Sequence, residues 1–160
     1  IKFYGMKQKQ LLRFAAAALV GTSAMTLYSY VISKKTKQEF TEPVLLNQLM
    51  DDASGLPDTN KPESHPAGWA GHYAVGLLFV ISYYVLWRRT LTSPTIGKSL
   101  AVGSASGLLA IVAWQIMFSA SDNPPQNNRR RYFGQLFVAH LIFSLAALYS
   151  YRLPDKLKIS

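Results

Sequence analysis

Apolar residues along the chain gather into four blocks separated by polar stretches, at about 11–32, 68–87, 97–119 and 133–151. Each block is close to the roughly 20 residues that a helix needs to cross the hydrocarbon core of a bilayer. Arg13 can reach back to the interface along its own apolar stem; beyond it, no block holds Asp, Glu, Lys or Arg in its interior. A helix on the surface of a water-soluble domain would show a charged face every third or fourth residue. The pattern predicts an all-α integral membrane four-helix bundle, a single four-span domain over residues 1–160.

The first block follows Lys7, Lys9 and Arg13, as in a secretory signal. It is longer than a signal's apolar core and ends in Tyr28 and Tyr30, so an uncleaved anchor is expected. Ile1 is not an initiator, which makes Met6 the expected natural start. In the first loop Thr41 is placed to cap a short helix through Glu42 and Pro43, with Val44, Leu45, Leu46, Leu49 and Met50 along one stripe. This amphipathic segment, about 41–53, is expected to lie flat on the membrane or to pack over the bundle. Residues 55–66, rich in Gly, Pro, Asp and Asn, read as an irregular connection. The Asp51–Asp52 pair reads as a solvated helix end before it reads as a cation site.

Charge and cysteine content narrow the classes. With 17 Lys+Arg against 8 Asp+Glu the chain carries a formal charge of +9. The basic residues flank the spans, where they set topology and meet anionic head groups, and no basic surface interleaved with aromatics suggests nucleic acid. Ten Lys and Arg fall on the side holding both termini and seven on the other, which favours cytoplasmic termini. The absence of cysteine excludes disulfides, Cys-ligated zinc, iron–sulfur clusters and thiol catalysis. No G-x-S-x-G or H-E-x-x-H motif is present, so no catalytic residue is assigned.

Candidate chemistry comes from polar groups inside the spans. At 1.5 Å per residue, His72 lies about 6 Å and His140 roughly 10 Å below the same membrane surface. Gln115 stands near that end of the third span, and Ser23 and Thr26 stand in the same half of the first. All four spans thus bring a polar group to one level. Interhelical hydrogen bonding is one reading. The other is a His72/Gln115/His140 cluster that holds haem iron, a metal ion or a small molecule. A transport path would need polar groups in the opposite half, where only Ser82 and Ser99 stand. Gly71-His72, Gly76-Leu77 and Ser82-Tyr83 are echoed at the same offsets by Ala139-His140, Ser144-Leu145 and Ser150-Tyr151, as in a duplicated hairpin. Gly103 and Gly107 form a GxxxG step, and Gly68, Gly71 and Gly76 line one region of the second span; both suit close helix packing, in the bundle or against a neighbour. Trp69, Trp87, Tyr132 and Tyr151 stand at span ends, where aromatic belts form.

The stretch Gly68-Trp69-Ala70-Gly71-His72-Tyr73-Ala74-Val75-Gly76 resembles the GW-x-x-HY-x-x-G opening of the second helix in a YagU-like family of uncharacterised bacterial inner-membrane proteins. Gly21 to Thr26, Gln115, Asn123-Pro124-Pro125 and His140 follow in the family's order, over about 11–151. The family often has Asp after the first-helix Met, whereas Met25 is followed here by Thr26. The resemblance implies a four-helix protein of the bacterial inner membrane and implies no activity. The expected function is a non-enzymatic structural or accessory subunit of a larger membrane assembly, with the lipid bilayer and other membrane subunits as partners. The alternative is cofactor or small-molecule binding, or transport, through the His72/Gln115/His140 cluster.

Overall fold

A computed structural model describes residues 8–52 and 61–156, the side chains of Asp52 and Lys156 excepted. The expectations for Met6 and for the first half of 55–66 lie outside the described residues. In chain order the helices are α1 (Gln8–Thr36), α2 (Glu42–Asp52), α3 (Pro66–Leu86), α4 (Arg88–Thr92), α5 (Ile96–Ala120), α6 (Arg129–Ser150) and α7 (Leu153–Lys156). The four long ones, α1, α3, α5 and α6, are long and apolar enough to cross a membrane.

Each long helix starts one to four residues before its apolar block, because its start signal lies in the polar flank. His65 accepts from the Ala67 amide ahead of α3, with Pro66 in the first turn. Thr95 accepts from the Lys98 amide at the start of α5, and Asn128 from the Arg131 amide at the start of α6. α1 ends where Lys37 takes a left-handed conformation (φ 53°) and the Gln38 amide returns to the Ser33 carbonyl.

α6 lies at the centre of the bundle and packs along α1 and α5; α1 also packs on α3. Small residues set these approaches. A Cβ on Gly21 would come within 2.8 Å of Ala147 Cβ, and one on Gly107 within 2.9 Å of the Phe137 ring. A Cβ on Gly76 would overlap Thr22 Oγ1, and one on Gly103 would overlap Ser144 Oγ. The GxxxG step therefore serves the bundle itself. Outward-facing Leu19, Leu27, Leu78, Leu108 and Ile116 are each more than half exposed, as an apolar solvent allows.

α2 packs over the bundle rather than standing apart. Val44 and Leu45 are buried, and Asn47, fully buried, donates to the Pro62 and His65 carbonyls while accepting from the Gly68 amide. A Cβ on Gly68 would strike Pro43 O and Asn47. The first glycine of the GWxxHY stretch is thus fixed by α2 docking onto α3. At the opposite end, Arg13 Nη2 and Lys9 Nζ meet Asp155 Oδ1 at 2.8 and 3.2 Å, tying α1 to α7.

Candidate functional site: a lipid-facing cavity with two histidines

α3 leans on α1 and α2, while α5 leans on α6. A hydroxyl pair between Tyr83 and Ser106 joins α3 to α5 in the half of the bundle nearer the termini. Toward α2 the two helices part and leave a cavity of about 440 Å³. Its walls are mainly apolar, with Phe79, Trp114 and Phe143 among them. Val75 and Leu109 also line it and are 48% and 61% exposed, so the opening lies between α3 and α5. Val75 is nine residues into α3, about 13 Å along the axis, which sets this opening at the depth of the hydrocarbon core.

His72 and His140 both line the cavity, and both are buried. Their protonation pattern follows from their partners. Thr26 Oγ1 donates its single hydrogen to the Thr22 carbonyl at 2.7 Å, so it can only accept from His72 Nε2 at 2.9 Å. His72 in neutral form therefore carries its hydrogen on Nε2 and leaves Nδ1 as a lone pair. His140 Nδ1 sits 2.9 Å from the Leu136 carbonyl, which can only accept, so the hydrogen is on Nδ1 and Nε2 is the lone pair. The two histidines of the echoed hairpins thus use opposite nitrogens.

Glu42, at the start of α2, lines the same cavity and is 2% exposed. Ser29 Oγ lies 2.8 Å from its Oε1 and 3.2 Å from Gln135 Oε1, while Gln135 Nε2 donates to the Phe40 carbonyl. Glu42 Oε2 and the neighbouring Tyr132 hydroxyl are buried without a hydrogen-bond partner. Burial pushes the Glu42 carboxyl up to about 7, against the smaller opposing pull of its hydrogen bonds. The sequence reading did not assign this residue to the site. A signal was present: Glu42, Leu45, Leu46 and Leu49 share one helical face, which puts a carboxylate at the head of an apolar row.

Two expected members lie elsewhere. Gln115 is exposed and lines a separate surface depression with Val112, Ile116 and Ser119. Its neighbour Trp114 takes the inward direction, and one residue of helix turns the next side chain by about 100°. Gln115 is therefore not part of a cluster with His72 and His140. Ser23 is exposed and pairs with the Tyr73 hydroxyl at 2.9 Å, bridging α1 and α3 away from the cavity. Thr26 does belong, as the partner that orients His72. In the other half, Ser82 returns its hydroxyl to the Leu78 carbonyl on an exposed face and Ser99 returns its own to Thr95, so neither extends a polar path.

Haem and metal readings do not fit these residues. The cavity lining contains no Lys or Arg to meet haem propionates and contains the acidic Glu42 instead. His72 also has its less hindered nitrogen, Nε2, committed to Thr26. Among the described residues no group of three or more His, Asp or Glu is placed to hold a metal ion, and the Asp51–Asp52 reading lies outside them because the Asp52 side chain does. What the site can do is accept hydrogen bonds at two fixed points within an apolar, aromatic-edged space.

Compared with protein-family models, with curated proteins and with solved structures, the chain matches none.

Proposed function

We propose that the protein is a non-enzymatic membrane protein that binds a small amphipathic molecule taken directly from the bilayer. The observation that carries this reading is the opening between α3 and α5, flanked by Val75 and Leu109 and floored by two oriented imidazoles. Binding sites are typically concave and apolar with a few placed polar groups, and this cavity has that composition. Two histidines that line a lipid-accessible space and each keep a free acceptor nitrogen favour binding over a purely structural role. The proposal keeps the bacterial inner membrane that the YagU-like resemblance implies and the cytoplasmic termini that the Lys and Arg count favours.

The test is photolabelling in proteoliposomes with a fatty alcohol that carries a diazirine on its chain. The expected labels concentrate on α3 and α5 around Val75, Leu109 and Trp114. Labels spread evenly over the lipid-facing surface, with Leu19 and Leu27 marked as strongly as Leu109, would overturn the reading.

A further inference from the structure

We infer that the occupant of the cavity is an amphiphile with a dihydroxyaromatic head, of the hydroquinone type, held in its hydrogen-donating form; this rests on the binding reading above. The inference follows from which hydrogen-bond valences are already used. Thr26 and the Leu136 carbonyl consume the N–H of His72 and of His140 respectively. What remains on each neutral ring is an acceptor, while on Glu42 Oε1 already accepts from Ser29 and Oε2 is fully buried. A head group that itself only accepts would set lone pair against lone pair in a space with little water to relieve it. A head that donates satisfies the same atoms.

Shape and surroundings select an aromatic head over an aliphatic one. Phe79 meets His140 edge-on at 5.5 Å between centroids and Phe143 at 6.1 Å, which leaves ring faces and edges around the polar floor. A planar ring fills such a space with favourable edge-to-face contacts. A volume of about 440 Å³ takes a substituted ring and the start of a chain, and the rest of the chain leaves through the opening into lipid. The lining carries no Lys or Arg for a phosphate, so a phospholipid head is disfavoured. A hydroquinone with an alkyl tail meets each of these conditions, and its oxidised quinone, with two carbonyl oxygens, meets all but the donor requirement.

The experiment is competition against the diazirine fatty alcohol in anaerobic proteoliposomes, with three competitors that share one decyl tail. These are a hydroquinone, its dimethyl ether and the corresponding quinone; the ether keeps the ring and removes the donors without changing the redox state. The expected result is that the hydroquinone displaces the label at a concentration about tenfold lower than either of the others. His140→Phe, which keeps a ring and removes a lone pair, should shrink that ratio toward one. Should that variant fail to fold, the three competitors on the unaltered protein still decide. Equal or better displacement by quinone or ether overturns the inference and leaves the binding reading standing. The same holds if none of the three competes while α3 and α5 are still labelled. Absence of label on α3 and α5 removes the binding reading itself, and the inference with it.

Discussion

The two halves of this bundle use the same helices in opposite ways. In the half nearer the termini, Val80, Tyr83, Ala147 and Leu148 are almost fully buried, in one cluster with Phe14 and Tyr151. In the half nearer α2, α3 and α5 separate, Leu109 and Val75 face outward, and buried polar groups line the gap. Those groups are Glu42, His72 and His140, and behind them a row of buried hydroxyls, Thr22, Thr26, Ser29 and Ser33, recurs at helical spacing along one face of α1. A closed half holds the helices in place so that an open half can stay open. Membrane helices gain little from burying apolar surface against each other, because lipid is equally apolar; the contacts of the closed half, and a second buried cluster of Phe40, Leu45, Tyr132 and Leu136 beside α2, hold the helices so that the void between α3 and α5 persists.

That contrast can be broken at its strongest point first. Leu148→Ala in the closed half should cost about 2–5 kcal/mol, as deletions from tight cores do, while Leu109→Ala at the opening should cost under about 0.5 kcal/mol. Unfolding of the two variants in mixed micelles checks this, and equal losses would mean the halves do not differ in packing. Next in size is the pH response of Glu42, whose carboxyl is raised from an ordinary value of 4.5 to about 7. A raised carboxyl favours the folded state fully below pH 4.5 and loses that contribution as pH rises through 7, about 3 kcal/mol in all. Stability should therefore fall between pH 5 and pH 8, and Glu42→Gln should flatten the curve; an unchanged slope in that variant would assign the effect elsewhere.

Smaller effects sharpen the comparison. Ala113→Leu adds bulk where the cavity lining is exposed, so stability should stay within about 0.5 kcal/mol while diazirine labelling of α3 and α5 drops severalfold. Labelling that persists would place the occupant elsewhere. Asp155→Asn removes the partner of Lys9 and Arg13 at the solvated end of the closed half, and should leave the thermal midpoint unchanged within error. A clear drop would show that the end clamp, and not the buried contacts, holds that half shut.

The spans were legible because hydrophobicity without interior charge has one physical meaning at that length, and the helix over α2 followed from its stripe. His72, His140 and Thr26 were legible as a level within the membrane. Depth, however, gives height and not direction, so it groups Gln115 with the histidines although that side chain faces outward beside Trp114. The parting of α3 from α5 was not legible, since it depends on which partner each glycine meets: Gly76 meets Thr22 on α1, and Gly103 meets Ser144 on α6. Such pairings are between distant parts of the chain. Glu42 is not legible as a site residue, because an acid at a helix start has a sufficient local explanation in the helix dipole. Its burial arises only when Ser29 and Gln135 close over it.

The opening between Val75 and Leu109 has a consequence for how occupancy is counted. An occupant that arrives sideways is in equilibrium with its own mole fraction in lipid, and not with its molarity in buffer. Adding empty vesicles that exchange lipid would dilute it and empty the site, whereas adding buffer would leave occupancy nearly untouched. The protein would report the composition of its membrane.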